Sequence, residues 1–309
     1  MATRLGLSLP QNRQYDIGRD VPDVARAAER IGYDSLWVYE RALYPEPAGQ
    51  GLYGIEGLPW PDAYRGVADP LVTLALAAAV TERVRLGSSV LVAPLHQPFQ
   101  LAKAFASLDA ASGGRVVAGF GTGWSLDEYA ASGVRPIAER GKVLDEIIEV
   151  CRAVWGPDPV RYDGRLTKIE SAVVGPKPAR PIPILLAASN KKALTRLVDH
   201  ADGWLPVGTG VEQLATQWQR VQDLAAERGR KEPIETVLRV NAVHTAKPYD
   251  APDRAPFQGS PDQIVEDLVT HAAIGLEEIL VDLQTTPRDG RELQDVAAEV
   301  YEKARAAGV

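Results

Sequence analysis

Charged residues follow one of the short apolar runs in this chain, and their types suit chemistry on a polar organic group. Glu40 and Arg41 come directly after residues 35–39. A carboxylate there can move a proton or orient a ring, and a guanidinium can hold an anionic group. An ion pair that closes the rim of the fold explains the same two residues, so both interpretations stay open.

Small residues mark further places where a ligand could approach the backbone. The run 84–92 contains Ser88, Ser89 and Val90, which give a ligand room or mark a bulge. A glycine-rich segment follows the run 115–120, and two later runs end in open turns. Exposed N–H groups there suit a phosphate or the polar edge of a heterocycle, although tight turns and helix caps use the same residue types. The candidates are Gly121, Thr122, Gly123, Trp124, Ala187, Ala188, Ser189, Asn190 and Gly208.

Other reactive residues lack the spacing that a metal site or a covalent nucleophile needs. Cys151 lies in an apolar helical pattern with Ile147 and Ile148, which predicts a buried core thiol. The chain has no G-x-S-x-G segment, which argues against a serine hydrolase. The histidines show no metal-ligand spacing, so we predict no metal site; they are His96, His200, His244 and His271.

Eight β-rich apolar runs alternate with stretches of helical periodicity. This alternation predicts an α/β fold, a (β/α)8 barrel that forms a single domain over residues 1–309. An open, doubly wound sheet is the alternative, but such sheets seldom carry so regular an alternation. In a barrel the reactive groups lie at the C-terminal ends of the strands. The runs are 4–9, 35–39, 84–92, 115–120, 182–188, 203–208, 236–245 and 278–284.

Residue types at the ends of the helical stretches predict where the helices begin and end. Asp20 precedes the first apolar helical face and Gly32 follows it, which predicts a start and a stop. Asp69 and Ser260 each precede a proline, and Asp289 precedes the last apolar face, so all three are predicted N-caps.

Three insertions, about 41–68, 156–181 and 246–260, interrupt the alternation. The first and third follow predicted strands, so we expect them on the catalytic face as lids or substrate walls. Aromatic residues of the first either stack on a flat ligand or pack the loop on itself. The second contains Asp163-Gly164, which predicts a hairpin turn. Because it joins a helix to a strand, we expect it at the other end of the barrel, without a role in chemistry.

Composition and charge narrow the classes of partner. The net charge of −7 argues against nucleic acid and against an anionic membrane surface as partners. No apolar run approaches the ~20 residues of a membrane span, and the N-terminus shows no apolar core of a signal peptide. One cysteine excludes a disulfide within the chain and favours a reducing compartment. We therefore expect a cytoplasmic protein with a small-molecule substrate.

The residues from Asp69 to Glu128 resemble the luciferase-like monooxygenase superfamily, and within it the coenzyme F420-dependent oxidoreductases. The most specific stretch reads PFQLAKAFASLDAASGGR from Pro98, followed by VVAGFGTGW to Trp124. Asp202-Gly203-Trp204 and Gly259-Ser260-Pro261 also match. The resemblance implies a TIM barrel, usually a homodimer, with F420 or FMN lying across the strand ends.

The resemblance also implies positions for the cofactor. A non-proline cis peptide in the third strand supports the ring in similar members, and it carries over to Ser89-Val90. Gly121 to Trp124 would contact the ring, and Ala187 to Asn190, with Gly208, would hold the phosphate. The sugar-phosphate dehydrogenases have a histidine base where Arg41 stands and a glutamate where Trp124 stands. The alkanesulfonate monooxygenases have Arg-x-His where this chain has Arg239-x-Asn241.

Three hypotheses follow. The first is an F420-dependent oxidoreductase that moves a hydride between the deazaflavin and a small organic substrate under the 41–68 loop. Glu40 and Arg41 are its candidates for substrate polarisation or proton transfer, and reduction of an unsaturated substrate is the preferred direction. The alternative is an FMN-dependent two-component monooxygenase. The third is a non-catalytic barrel, which would bind neither cofactor.

Overall fold

A closed barrel of parallel strands forms the centre of the molecule, as seen in a computed structural model that describes residues 3–208 and 210–309. The strands of this described part are β1 (Arg4–Ser8), β2 (Ser35–Val38), β3 (Arg85–Ser88), β4 (Leu91–Val92), β5 (Val116–Gly121), β6 (Val160–Asp163), β7 (Lys168–Ala172), β8 (Ile184–Leu186), β9 (Gly203–Trp204), β10 (Glu235–Asn241), β11 (Val243–His244), β12 (Gln258–Gly259) and β13 (Glu278–Asp282).

Strand pairing confirms the eight-stranded TIM barrel. The order is β3-β2-β1-β13-β10-β9-β8-β5-β4, and β3 also pairs with β5, which closes the ring. β3 and β4 occupy one position in the barrel wall, so the predicted run 84–92 is a strand interrupted at Ser89 and Val90. An open, doubly wound sheet is excluded, because its edge strands would remain unpaired.

Helices cover the outside of the barrel. In the described part they are α1 (Ile17–Ile31), α2 (Pro70–Ala78), α3 (Pro98–Ser112), α4 (Leu126–Ser132), α5 (Arg140–Trp155), α6 (Lys191–His200), α7 (Val211–Glu227), α8 (Pro261–Ala272) and α9 (Gly290–Ala306).

Most of the predicted helix ends are confirmed, and one start is wrong. The side chains of Asp69, Ser260 and Asp289 accept hydrogen bonds from the first turns of α2, α8 and α9. Helix α1 begins after Asp16, not after Asp20. Asp20 is a buried residue of its first turn and accepts a 2.9 Å hydrogen bond from the Asp16 N–H. The apolar face starts later than the helix, which is why the periodicity placed the start one turn late.

Apolar side chains fill the space inside the barrel and the shell between strands and helices. The interior cluster closes the barrel below its C-terminal ends, so a ligand can enter only from above it. Cys151 lies fully buried in the outer shell, and burial raises the pKa of its thiol, as expected for a core residue. The interior cluster consists of Trp37, Val117, Leu185, Leu205, Val237 and Leu280.

The three insertions fold differently from one another. Residues 41–68 contain two short 3₁₀ turns, Leu52–Gly54 and Asp62–Arg65, and lie over the C-terminal ends of the strands. Residues 246–260 contribute no described residue to the main cavity; instead Arg254 pairs with Asp267 of α8 at 2.6 Å.

The predicted hairpin at Asp163-Gly164 is present as antiparallel β6 and β7, but its position differs from the prediction. Its turn lies along α5, where Glu146 accepts a 2.6 Å hydrogen bond from the Leu166 N–H. Arg165 pairs with Glu139 at 2.5 Å, at the start of α5. Because α5 begins on the catalytic side, the hairpin reaches up from the opposite end of the barrel to that side.

Within the described residues, no helix is long and apolar enough to cross a membrane.

Candidate functional site

A cavity of about 560 Å³ opens at the C-terminal ends of the strands. It lies above the interior cluster, where β2, β4, β5, β8 and β10 end. Nine of the residues predicted from the sequence line it: Glu40, Arg41, Ser89, Val90, Gly121, Thr122, Gly123, Trp124 and Ala187. The other lining residues are Tyr39, Tyr53, Tyr64, Val92, Leu205, Val207, Arg239 and Asn241.

The floor of the cavity is formed around Ser89 and Val90. The peptide bond between them is cis, as the resemblance implies. Val90 lies directly against β5, since a Cβ built at Gly121 would stand 2.6 Å from Val90 Cγ2. Gly123 has a φ of +66° and would bring a Cβ to 2.5 Å from Val92. The two glycines therefore allow the valines to approach β5 and leave a smooth apolar surface.

Five predicted cofactor residues lie outside this cavity lining. The Ser88 hydroxyl is fully buried and donates a 2.8 Å hydrogen bond to the Gly119 carbonyl, so it faces the neighbouring strand. Asn190 caps α6 by accepting a 3.1 Å hydrogen bond from the Ala193 N–H. Ala188 and Ser189 precede this cap, and the Gly208 N–H bonds to the Arg239 carbonyl at 2.6 Å.

Glu40 is a buried carboxylate with both oxygens engaged. Oε2 accepts a 2.6 Å hydrogen bond from the Val92 N–H, and Oε1 lies 2.8 Å from His96 Nε2. Burial disfavours the charged imidazole, but the hydrogen bond and the charge of Glu40 outweigh it, so the pKa of His96 is raised. Glu40 is thus one half of a carboxylate–imidazole pair that reaches the cavity.

Arg41 is fixed in a box of aromatic rings. Its guanidinium carbon lies 4.9 Å from the Trp124 ring centroid, 5.6 Å from that of Tyr64 and 5.7 Å from that of Trp60. Nη1 lies 3.2 Å from Glu128 of α4, and both side chains are buried. Burial raises the pKa of Glu128, and the charge of Arg41 opposes that rise. The rim ion pair between Glu40 and Arg41 considered from the sequence is therefore not formed: Arg41 pairs with Glu128, and Glu40 with His96.

Two residues at this site, His96 and Arg239, were not predicted from the sequence to have a role in it. Arg239 donates hydrogen bonds to the Ser89 carbonyl and to Asp282 of β13, and its Nε bonds to Asn241 at 2.9 Å. It lies 5.0 Å from the Tyr39 ring centroid. The sequence could have indicated His96: it follows the strand after β2, and residues that follow consecutive strands of a barrel meet at its rim.

Aromatic residues of the 41–68 insertion form the cavity wall and also pack on one another. Tyr53 and Tyr64 line the cavity. The Tyr53 and Trp124 rings are 5.3 Å apart, and the Trp60 and Trp124 rings are 5.0 Å apart. Packing of the loop on itself is therefore present, since the Tyr44 and Trp60 rings are 5.9 Å apart. Stacking of the loop aromatics on a flat ligand stays a prediction.

The arrangement fits a flavin-type cofactor. Val90 and the glycines of the 121–124 segment give the floor an apolar surface, and the tyrosine and tryptophan walls suit an extended ring. Ala187 lines the cavity and leads directly into the capped N-terminus of α6, where free N–H groups suit a phosphate. No group of three or more potential metal ligands occurs among the residues at 3–208 and 210–309.

Each described charged side chain that lines the cavity already has a polar partner. Arg41 faces Glu128 and Arg239 faces Asp282, while Glu40 faces the imidazole of His96. An ionic substrate group would have to compete with these pairs in a partly dry site, which is costly.

Comparisons with known proteins bear on the family and the fold of this chain. The family model described as luciferase-like monooxygenase matches residues 4–275. One uncharacterised protein of Mycobacterium tuberculosis is 37% identical over 210 residues, 67% of this chain and 73% of that protein. The F420-dependent glucose-6-phosphate dehydrogenase of Amycolatopsis mediterranei is 30% identical over 198 residues, 63% of this chain and 55% of that enzyme. A solved F420-dependent secondary alcohol dehydrogenase in complex with an F420-acetone adduct shares the fold, with a TM-score of 0.77 at 19% identity over 99% of this chain and 100% of that chain.

Proposed function

The chain belongs to the luciferase-like monooxygenase family, and on that premise we propose that it is an oxidoreductase that moves a hydride between coenzyme F420 and a small organic substrate. The observation that carries the proposal is the cavity at the strand ends, with its apolar floor and aromatic walls. The relative named for F420 favours the deazaflavin. FMN-dependent monooxygenation is second, because Asn241 stands where the resemblance implies the histidine of those enzymes.

The residues of the cavity divide into those that hold the cofactor and those that face the substrate. Ser89, Val90 and the segment 121–124 would support the ring, and the N-terminus of α6 would hold the phosphate. The bound cofactor supplies or accepts the hydride. Glu40 is the protein group that would hold or move the proton on the substrate, since it reaches the cavity and is paired with His96.

We propose a neutral substrate, an alcohol or an unsaturated compound such as a ketone, with reduction as the preferred direction. Because Glu40, Arg41 and Arg239 are all paired, the cavity offers no free charge to a phosphate or carboxylate on the substrate. Arg41 then stiffens the aromatic wall and does not bind an anion. A sugar phosphate is disfavoured also because Arg41 and Trp124 replace the histidine and glutamate that the resemblance implies for those dehydrogenases.

The remaining parts of the proposal concern assembly and location. We propose a homodimer, as the resemblance implies, and light scattering of the purified chain would give its mass. A cytoplasmic location is in keeping with the single, buried Cys151.

Fluorescence titration of the purified protein with F420 and with FMN tests the cofactor. We expect tight binding of F420 and weak binding of FMN. Reduced F420 should then be oxidised on addition of acetone or cyclohexanone but not of a carboxylate-bearing ketone such as pyruvate, and oxidised F420 should not be reduced by glucose 6-phosphate. Tight FMN binding with oxygen consumption would establish the monooxygenase instead, and binding of neither would establish the non-catalytic barrel.

A further inference from the structure

A second cavity, of about 310 Å³, lies behind the Glu40–His96 pair. His96 lines this second cavity together with Gln97, Val134, Arg135 and Leu166, and it does not line the main one. Glu40 lines the main cavity and not the second. The hydrogen bond of 2.8 Å between the two side chains is therefore the polar connection from one cavity to the other.

We propose that His96 is a relay and positioning residue, which passes protons between solvent in the second cavity and Glu40 in the main cavity. The reaction that uses the proton rests on the proposed function. The existence of the proton path does not depend on the proposed function. His96 has a partly exposed ring, and Glu40 is nearly inaccessible, so the imidazole is the member of the pair that solvent can reach.

The geometry places one ring nitrogen of His96 against one oxygen of Glu40. A carboxylate in its ionised form can only accept, so in that state of the pair Nε2 of His96 is the donor to Oε1 of Glu40. The Val92 N–H holds the other carboxylate oxygen at 2.6 Å, which keeps Oε1 directed at the ring. The His96 backbone N–H bonds to the Ala93 carbonyl at 3.0 Å, so the 3₁₀ turn after β4 sets the position of the ring.

The relay balances for the reduction of a carbonyl. Reduced F420, when bound, would supply the hydride to the carbonyl carbon, whose π electron pair would move to the oxygen and leave that oxygen in need of one proton. His96 gives its Nε2 proton to Glu40, and the acid so formed gives a proton to that oxygen, which yields the alcohol. The neutral ring then keeps its hydrogen on Nδ1. A flip of the ring turns the bare Nε2 toward the second cavity, where it takes a proton from the buffer acid in the solvent, and the imidazolium is restored. In the reverse direction the same three transfers carry the alcohol proton out.

Charges around the ring favour its protonated state. Glu40 of the β2 end faces it directly, and Asp69 at the start of α2 adds a second negative charge. Arg135, which lines the second cavity, is the positive group on the other side. Burial opposes protonation, yet the acidic groups prevail and the pKa of His96 is raised. The ring therefore still carries a proton to donate at a pH where an ordinary imidazole has lost it.

Two measurements on the cofactor-free protein test the path. The chain has four histidines, so NMR of ¹⁵N-histidine protein gives few ring signals, and His96→Asn identifies the one in question. We expect His96 to titrate above the ordinary imidazole range and to titrate lower in Glu40→Gln.

The second measurement is chemical modification. Diethyl pyrocarbonate should modify His96, and Leu166→Trp, which fills the second cavity, should slow that modification. The exposed His200 should react unchanged in the same digest. An unshifted titration in Glu40→Gln, or modification indifferent to Leu166→Trp, would overturn the path.

Turnover tests the use of the path. With reduced F420 and acetone, kcat should fall as pH rises through the pKa of His96. We expect His96→Asn to lose that limb and most of the rate, imidazole to restore part of it in His96→Ala, and His200→Asn to behave as wild type. If His96→Asn kept the wild-type pH profile, the relay would be refuted, even where F420-dependent turnover itself is observed. If F420 failed to bind, the proposed function would fall while the titration and modification results still decided the path.

Discussion

Arg239 connects three parts of the site through a single side chain. It donates to the Ser89 carbonyl on the cavity floor, to Asp282 on β13 and to Asn241 on its own strand. Asp282 is almost completely buried, and this guanidinium is its partner of opposite charge. The residue thus couples the position of the floor to the balance of buried charge.

Replacing Arg239 by Met should destabilise the fold by about 3–5 kcal/mol, because it leaves the buried Asp282 carboxylate without its positively charged partner and with only the Gln284 N–H as a donor. The double variant Arg239→Met/Asp282→Asn should recover most of that loss. About 1–3 kcal/mol should remain, since the Ser89 carbonyl still lacks its donor. Urea unfolding measures all of these values. Arg220→Met, on an exposed position of α7, is the matched control and should change stability little.

Two results would contradict this double role of Arg239. Equal stability of the single and double variants would mean that the Asp282 charge is not what Arg239 compensates. A loss confined to cofactor binding would assign the residue to the floor alone.

Residues at strand ends could be predicted as a set from the sequence, whereas their partners could not. Glu40, Arg41 and the 121–124 segment follow apolar runs, and barrel geometry alone directs such residues to one face. His96 lies four residues beyond β4, directly after a 3₁₀ turn that carries no periodic signal. Its partner Glu40 is 56 residues away, and only the adjacency of consecutive strands brings them together.

At the scale of elements, the close approach of β4 and β5 depends on glycine. Gly121→Ala would place a Cβ 2.6 Å from Val90 Cγ2. Val90 is partly exposed on the cavity side, so we expect it to turn into the cavity and obstruct the ring. Affinity for F420 should fall about tenfold, which is ~1.4 kcal/mol of binding free energy. The loss of folding stability should be smaller than the about 1–3 kcal/mol that is usual for an overpacked core.

A second substitution separates obstruction from general damage. Gly121→Ala/Val90→Ala removes the opposing side chain and should recover part of the F420 affinity, as measured by fluorescence titration. Gly18→Ala on exposed α1 has ordinary contact space and serves as the glycine control. If the double variant bound no better than Gly121→Ala, the glycine would be needed by the ligand and not by Val90.

The N-terminus of α6 allows capping and phosphate binding to be tested apart. Asn190 accepts from the Ala193 N–H, and aspartate caps helices about as well as asparagine. Asn190→Asp should therefore keep the unfolding free energy within about 0.5 kcal/mol while its negative charge weakens F420 binding. Asn190→Ala should lose about 1 kcal/mol of stability. Unchanged F420 affinity in Asn190→Asp would place the phosphate elsewhere.

Helix starts show where periodicity stops being informative. Asp69, Ser260 and Asp289 were predictable because each precedes its apolar face directly. α1 was predicted one turn late because Ile17 to Asp20 contain little of the apolar pattern, and Pro22 lies within the helix. The buried Asp20 depends on contacts with Asp16 and Arg19, which the pattern does not include.

At the scale of the whole molecule, the two ends of the barrel carry different networks. The C-terminal ends hold the cavity. At the other end, Arg4, Arg85, Glu235 and Glu278 are the first residues of four strands and form ion pairs across the opening. The sequence predicted eight strands, but only closure of the barrel brings these four residues together, so their pairing was not predictable. Because the ion pairs and the cavity lie at opposite ends, a barrel can vary its site without altering its closure.

Glu235 is the centre of the network that closes the N-terminal end. Arg85 lies 2.5 Å and Arg4 2.7 Å from its Oε1. Burial alone would raise the pKa of Glu235, but the two arginines outweigh it and the pKa is lowered. A carboxyl whose pKa is lower in the folded state stabilises the fold above its unfolded value, here the ordinary 4.5, and loses that contribution as pH falls through the folded pKa.

Glu235→Gln should therefore lower the unfolding free energy by about 2 kcal/mol at neutral pH, where charged hydrogen bonds contribute ~1.5–3 kcal/mol. Its stability should fall less steeply than that of wild type when the pH drops below 4.5. Cofactor affinity should not change, because the network lies at the end of the barrel away from the cavity. Urea titrations across acid pH measure the first two effects, with exposed Glu232→Gln as the control. A parallel loss of F420 binding would show that closure at one end sets the geometry of the other.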